Sequence, residues 1–580
     1  ILFHLDYDDG YVAYINGKEF SRRNLGPENS NTFYNQTATG LHEADIYQGG
    51  FPEEIILDPN LLPLQSGENT IAIEVHNFSN SSSDLTCIPF LTIGYKSTYA
   101  NLRVPDKRIY LPETYLHTNF KIKSTGEYLV LSDSNGVIVD SVFSGSIPTD
   151  RSKGRVLGGS SWKLFDTPTP EKANPSIGYN GFLSPPIFSI KTGFYSTAQK
   201  ITLAHFNSDA KIYYTLDGSE PNENSYIYNT ELTINTNTVI RARSMQSGWM
   251  PSNIETQTYL FDTAPDIPVI ALNVDPKDLF DSSSGIYSRG PSAADAFPHF
   301  GANFWQDWEK PAQFDIIDTN GNNYSASAGI KIFGGWSRGN PQKSFSLFAR
   351  KQYGTSQFDY QIFPKSSVDS YESFIIRNSG NDWEQTMLRD GYVNSIIDVT
   401  GVDYQQYRPA IGYINGEYWG IYNMREKISE HFISSHHDVP TDKINLLAYN
   451  GGFEDNLETI HGSKEDFLEL IQYISTNDMT KADAYNVVSK WIDIEEYIEY
   501  QIIQIFIDNR DWPGNNVKLW RDSREGGKWR WILYDADYGF AFPKWMTDHH
   551  KFNTLDFALA TNGPGWPNPP WSTYLFRKLM

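Results

Sequence analysis

Apolar and polar positions alternate in short runs from Ile1 to about residue 260, and turn dipeptides separate the runs. That period of two is the signature of half-buried strands. Asp8-Asp9-Gly10 precedes Tyr11-Val12-Ala13-Tyr14-Ile15, and Asn16-Gly17 then offers a hairpin turn, because both residues tolerate positive φ. Gly67-Glu68-Asn69 leads into the β-branched run Thr70-Ile71-Ala72-Ile73-Glu74-Val75, which ends at His76-Asn77. Further strands are predicted at His117–Lys123, running into Gly126–Leu131, and at Val137–Ser141, after the turn Asp133-Ser134-Asn135-Gly136. Lys211-Ile212-Tyr213-Tyr214-Thr215-Leu216 is followed by the hairpin signal Asp217-Gly218 and then by Pro221, which ends a strand.

The pattern changes after Asp262-Thr263-Ala264-Pro265, which has the character of a linker. Phe333-Gly334-Gly335-Trp336-Ser337-Arg338-Gly339-Asn340 is a glycine-rich loop, and an alternating strand follows with Lys343 at its start. Met387, Leu388, Tyr392 and Ile396 recur at helical spacing within 383–397. Tyr407–Met424 reads as a hairpin turning at Asn415-Gly416. A capping pattern at Ser463–Asp466 opens a helix whose apolar face is Phe467, Leu470, Ile471 and Ile474. A longer helix follows, with Ile494, Tyr497, Ile498, Ile502, Ile505 and Phe506 predicted to face a core, and it runs into Asn509-Arg510-Asp511.

Composition narrows the function classes. A chain of 580 residues exceeds what one core usually supports, so several domains are expected. The net charge of −23 argues against nucleic acid or an anionic membrane as the main partner. It suits a basic protein substrate, or serves only to keep an extracellular protein soluble. Cys87 is the single cysteine, so no intrachain disulfide or cysteine-based metal site exists. No run of 18 apolar residues occurs, and no membrane span is expected. The strand-like start at Ile1-Leu2-Phe3 and the helical end at Tyr574–Met580 suggest a piece of a longer protein, with any targeting signal outside it.

The chemistry concentrates near the end. Asp511 stands five residues before Asn516, and Trp531-Ile532-Leu533-Tyr534 is an apolar run ending in Asp535-Ala536-Asp537. Phosphoryl transfer uses such a set: one carboxylate orients the attacking hydroxyl, while an Asn and a second Asp hold the magnesium on the nucleotide phosphates. Asp-x4-Asn is also the spacing of the kinase catalytic loop. The same residues in a loop would otherwise serve as turn formers. Glycines let backbone approach phosphates, and Lys343 just beyond would supply a point charge. His76 and Asn77 read as a satisfied strand end rather than as ligands.

Several segments resemble known families. DDGYVAYING and GENTIAIEVHN make residues 1–98 similar to galactose-binding-like jelly rolls, truncated at the N-terminus. Residues 111–175, with His117–Lys123, Gly126–Leu131, Asp150–Arg155, Trp162 and Thr167-Pro168-Thr169-Pro170, resemble a lamin-tail domain of immunoglobulin-like fold. In that module Ser152 and Arg155 read as loop-fixing. Residues 180–262 resemble the small β-sandwich at the C-terminus of chitobiases, usually a spacer. From 265 to 580, the ordered motifs RGNPQKSFSLFARKQYG, MLRDGYVNSI, INGEYWGIYNMREKI, NRDWPGNN and WRWILYDADYGF resemble the spore-coat CotH kinase family, lacking its C-terminal helices.

The fold implied is multidomain: three all-β sandwich or jelly-roll modules, then an α+β atypical protein-kinase-like domain. The kinase resemblance implies a secreted or cell-surface enzyme that uses ATP and Mg²⁺ (or Mn²⁺) to phosphorylate Ser or Thr of exported, basic or Ser-rich proteins. It makes Asp511 the catalytic aspartate, Asn516 and Asp535 metal ligands and Asp537 a support of the metal shell. Lys343 and Arg338 become phosphate contacts, Glu426 lies near the adenine at the hinge, and Glu384 or Asp390 is the acidic partner of Lys343. The β modules would meet glycan or surface protein, and an export machinery would carry the chain. The rival reading is an inactive surface adhesin or scaffold; nucleotidyl transfer on the same metal site is a further enzyme class. The chain departs from ordinary kinases in lacking G-x-G-x-x-G and in having Tyr-Asp-Ala-Asp where Asp-Phe-Gly is usual.

Overall fold

The computed structural model describes residues 1–46, 50–79, 85–93, 109, 120–123, 125–170, 172–449, 457–542, 548–560 and 572–580. Of the strand predicted at His117–Lys123, His117–Asn119 lie outside them, and Phe120–Lys123 do not form a strand. The chain forms two compact units, Ile1–Lys121 and Ile122–Met580.

The first unit holds two antiparallel three-stranded sheets. Leu2–Tyr7 runs between Glu53–Ile56 and Cys87–Thr92, and Gly10–Ile15 runs between Lys18–Arg23 and Ile71–His76. Phe3, Leu5, Tyr7, Tyr11 and Ala13 fill the space between them. His76 gives Nδ1 to Gln36 O at 2.6 Å and Nε2 to Glu74 Oε1 at 2.8 Å, so its ring is satisfied at the strand end as expected.

The second unit begins with two hairpins, Tyr128–Ser132 with Ile138–Phe143 and Ser152–Arg155 with Trp162–Phe165. Arg155 ties them together through two 2.8 Å bonds to Asp140, the fixing role read from the sequence. A five-stranded sheet follows, in the order Gly193–Phe194, Glu255–Leu260, Thr238–Met245, Lys211–Thr215, Tyr226–Ile227. Gly218 has φ of +82°, but Tyr214 pairs with Tyr226, so Asp217-Gly218 opens a longer connection rather than the tight hairpin its sequence signalled.

Seven strands then close into a barrel: Val269–Val274, Lys310–Ile317, Tyr324–Phe333, Ser344–Phe348, Ser373–Arg377, Glu417–Glu426 and Tyr407–Ile414, in that order around the wall. The closing pair, Val269–Val274 with Tyr407–Ile414, is the parallel one. Alternate side chains such as Phe314, Ile330, Phe345, Leu347, Phe374 and Met424 point inward and are essentially inaccessible. The predicted hairpin turns at Asn415-Gly416, both at positive φ.

Beyond the barrel lies a sheet ordered Asp403–Tyr404, Arg530–Leu533, Val517–Asp522, Ile444–Tyr449, Leu457–His461. On one face Leu447, Leu519, Trp531 and Leu533 pack with Phe467, Leu470, Tyr497 and Tyr500 of the helices Glu465–Thr476 and Ile494–Phe506. On the other, Leu446, Trp520 and Ile532 pack with Phe432 and Ile433 of the helix Glu430–His437.

Two helical expectations need correction. The helix expected across 383–397 is confined to Arg389–Ile396, because Asp382 accepts the backbone N–H groups of Thr386, Leu388 and Arg389 and fixes the preceding residues as a loop. Its buried face is Asp390, Gly391, Val393 and Asn394, whereas Leu388 and Tyr392 are half exposed. The helix Ile494–Phe506 buries Glu496, Tyr497, Tyr500, Gln501, Ile503 and Gln504 and leaves Ile498, Ile502 and Phe506 outside. Gln504 takes the inner face, where it accepts a hydrogen bond from Asn509 of the loop beyond, and Glu496 does so where it accepts the backbone N–H of Trp531.

Candidate active site

The helix Ile494–Phe506 delivers the chain to the site, and the residues after it are locked from behind. Tyr500 OH accepts from Gln504 Nε2 at 3.1 Å, and Gln504 Oε1 accepts from Asn509 Nδ2 at 2.8 Å. Asn509 Oδ1 in turn accepts the backbone N–H of Asp511 at 3.1 Å. Asp508, at φ +52°, binds Arg510 Nε at 2.6 Å and also engages Thr554 and His549. A buried hydrogen-bonded chain of this kind rigidifies what it holds.

It holds the carboxylate of Asp511. Asp511 is buried, and its Oδ2 accepts from Asn515 Nδ2 at 2.8 Å and Asn516 Nδ2 at 2.6 Å. Burial, with a smaller push from Asp535, raises its pKa to about 7 against the opposing Asn515 bond. A carboxyl poised near neutrality suits a general base.

Asp535 follows the strand Arg530–Leu533 and Tyr534, in the left-handed conformation at φ +52°, and is partly open to solvent. Arg377, the last residue of the barrel strand Ser373–Arg377, bonds Asp535 through Nη2 and reaches Asp537 Oδ2 at 3.0 Å. Asp537 is inaccessible and also accepts Asn381 N at 2.8 Å. Asp390 accepts Ala536 N at 3.0 Å, between the two aspartates, and pairs with Arg425. Burial opposes the charge on Arg377, but Asp535, Asp390 and Asp537 together hold its pKa above the ordinary value. Burial and the nearby Asp535 push Asp537 the other way, upward. Gly380, at φ +61°, lies so close that a Cβ there would come within 2.4 Å of both Arg377 Nη2 and Asp537 Oδ2.

Asp511, Asn516, Asp535 and Asp537 are therefore brought together. Among the described residues no group of three His, Cys, Asp or Glu side chains could by itself hold a metal ion. Asp535 Oδ2 and the Asn516 carbonyl remain as hard oxygen donors beside Asp511. Such a pair fits magnesium or manganese that takes its other ligands from phosphates and water. Asp537 has both oxygens committed to Arg377 and Asn381, so it would act on a metal shell only through Arg377 and Asp535.

Lys343, Arg338 and Glu426 stand apart from this cluster. The Lys343 ammonium donates to Arg338 O at 2.7 Å and Asn340 O at 3.0 Å and lies 3.8 Å from the Phe304 ring centre. Burial pulls its pKa down to about 8. Arg338 turns back to Gly334 O, at 2.5 Å, and to Phe304 O, at 3.1 Å. Glu426 is buried at the end of its strand, taking Gln406 N at 2.9 Å and His436 Nε2 at 2.8 Å. Asp390 partners arginines rather than Lys343. The residues missed from sequence are Arg377, Arg425 and Asn381. The only signal for them was the turn-forming Asn378-Ser379-Gly380 after a strand.

A buried Asp, an Asn and a second Asp are thus gathered where a barrel meets a mixed sheet. Residues 330–580 match the family model described as CotH kinase protein. Residues 190–257 match the Chitobiase/beta-hexosaminidase C-terminal domain, which coincides with the five-stranded sheet. The barrel strands Val269–Val274 and Lys310–Ile317 precede the CotH match. No curated protein matches the chain. Among the described residues, no helix is long and apolar enough to cross a membrane.

Proposed function

We propose that this chain is a protein kinase that transfers the γ-phosphoryl group of ATP to Ser or Thr hydroxyls of exported proteins at the cell surface or outside the cell. The observation that carries this reading is the buried Asp511, raised to about 7, hydrogen-bonded to Asn516 in a segment carrying the CotH match. Asp511 accepts the proton of the incoming hydroxyl, and Asn515 and Asn516 hold its Oδ2 in place for that attack. Asn516 and Asp535 would hold the magnesium, which when bound neutralises charge on the phosphates. Arg377 spaces Asp535 from Asp537, so one carboxylate stays open while the other stays committed. Lys343 and Arg338 serve the phosphates by fixing the glycine-rich loop. Glu426 fixes the segment through which the barrel strand leaves for the lower sheet, where the adenine would lie.

The net charge of −23 favours a basic protein acceptor. The jelly-roll-like, lamin-tail-like and chitobiase-like modules would place the enzyme against glycan or surface protein, after delivery by an export machinery. The test is transfer of labelled γ-phosphate to protein, with Asp511→Asn as the control. Label appearing on Ser or Thr and lost in that variant supports the kinase. ATP binding with no transfer supports the scaffold reading, and labelled nucleoside monophosphate on protein supports nucleotidyl transfer.

A further inference from the structure

A helix on the surface of a folded unit normally turns its apolar stripe inward and its polar side outward. The helix Ile494–Phe506 reverses this over part of its circumference. Glu496, Gln501 and Gln504 are buried, whereas Ile498, Ile502 and Phe506 are exposed, Ile502 at 59% and Phe506 at 71%. Four residues apart, these three form one row along the helix. A second row lies beside it, because Leu388, Tyr392 and Ile396 repeat the spacing at the helix Arg389–Ile396 and are exposed as well. The two rows are joined at both ends. The Phe540 ring centre is 5.7 Å from that of Tyr392 and 6.4 Å from that of Phe506. Glu499 accepts the backbone N–H of Gly401, just past the shorter helix, at 2.7 Å. The helices therefore run antiparallel, with Val393 and Ile503 in the core beneath them. Single exposed apolar side chains are ordinary, but two joined rows make the contiguous patch that marks an interaction surface.

Charge and position say what covers it. Glu495 and Glu499 stand on the same side of their helix as Ile498 and Ile502. Asp398, past the other row, pairs with Lys365 at 3.6 Å. Arg389 is turned away, to Asp382 and to the carbonyls of Gly539 and Phe540. The rim is therefore acidic on balance. A second copy would set these acids, and a net charge of −23, against their equals, which disfavours self-association. A partner helix with apolar residues at the same spacing and Lys or Arg on its flanks matches both the rows and the rim. Phe506 lies five positions before Asp511, and Phe540 three positions after Asp537, so a segment seated here is held beside the candidate site.

We propose that these two rows are a docking surface for the acceptor protein, taking an amphipathic helix with basic flanks and so raising the local concentration of the acceptor hydroxyl near Asp511. The partner's identity as acceptor rests on the kinase reading, but the surface itself stands on the exposed rows and their acidic rim.

The experiment is fluorescence anisotropy of the full chain with two labelled helical peptides of one design, leucines on one face and either lysines or glutamates on the other. The lysine peptide is expected to bind and the glutamate peptide is not. Ile498→Ser combined with Ile502→Ser should weaken the lysine peptide by about tenfold or more, the scale of uncovering one buried aliphatic side chain. Melting temperature should hold, because both side chains are already in solvent. Glu495→Lys should also weaken the lysine peptide, with the larger effect at low salt. Phe206→Ser removes an exposed ring elsewhere and should change nothing. Equal binding of the two peptides overturns the proposal, as does undiminished binding of the lysine peptide to the double Ser variant. A dimer in sedimentation that the double variant abolishes also overturns it, since a second copy is then the occupant. Fusing the lysine segment to a serine acceptor should lower KM for phosphoryl transfer in wild type but not in the double variant, with kcat unchanged. Peptide binding without transfer to any protein overturns the kinase reading and leaves the docking surface standing. Transfer with the same KM with and without the segment does the reverse.

Discussion

Asn516 donates its side-chain amide to Asp511 Oδ2 at 2.6 Å, so the two residues that the Asp-x4-Asn spacing singles out are in direct contact. The amide that holds Asp511 leaves its own carbonyl oxygen unengaged by it. On the proposed kinase reading, one side chain would couple the position of the proton acceptor to that of the metal.

Asp511→Asn keeps the shape and the acceptor for Asn515 and Asn516 but removes the base. Phosphoryl transfer should fall by ~10²–10⁴, the range for general-base catalysis, while ATP binding persists. In the wild type kcat/KM should rise with pH through about 7 as the carboxyl ionises. Stability should move the opposite way. A carboxyl raised in the folded state favours folding fully only below the unfolded value of about 4, and that contribution is lost as pH rises to about 7. Asp511→Asn should therefore melt no lower than wild type above neutral pH. A variant that loses activity only in proportion to unfolding would make Asp511 structural.

Arg377→Met would leave Asp390, Asp535 and Asp537 facing one another, with Arg425 as the remaining close cation. Removing one partner of a buried ionic cluster costs about 3–5 kcal/mol. Denaturant melts should show that loss at neutral pH. The gap should narrow toward acid, where the carboxylates protonate. Unchanged melting across pH contradicts the arrangement.

Lys343→Met removes two hydrogen bonds to the glycine-rich loop and a cation from the Phe304 face. The expected cost is about 1.5–3 kcal/mol of stability, since the bonds come from a charged donor. A fall in ATP affinity with no change in melting would instead make Lys343 a direct phosphate contact.

Glu496 accepts Trp531 N through both oxygens at 3.1 Å, and burial raises its pKa to about 9 despite the opposing charge of Arg530. Folding thus holds a proton that the unfolded chain releases above about 4.3, and this contribution disappears as pH rises toward 9. Glu496→Gln should gain melting temperature over wild type progressively between pH 5 and 9. A constant difference across that range would show that Glu496 is ionised in the fold.

Magnesium alone should bind weakly, because Asn516 and Asp535 supply only two protein oxygens, and nucleotide should tighten it. Calorimetry with and without ATP checks this. Tight binding of magnesium to the protein without nucleotide would contradict the two-ligand site.

Local signals determined a good part of this protein. Positive-φ pairs such as Asn415-Gly416 set hairpins in place, because few other residues adopt that conformation. The spacing of Phe467, Leu470 and Ile474 set a helix and its buried face. Asp511, Asn516 and Asp535 were legible as a set because their chemistry is tied to short spacings and to the end of an apolar strand. Tertiary structure decided what no spacing encodes. Arg377 and Asp535 are 158 positions apart and meet only because a barrel strand ends over the lower sheet. Periodicity chose the wrong face of the helix Ile494–Phe506, since the need to hold Asn509 drew Gln504 inward while Ile498, Ile502 and Phe506 stayed outside.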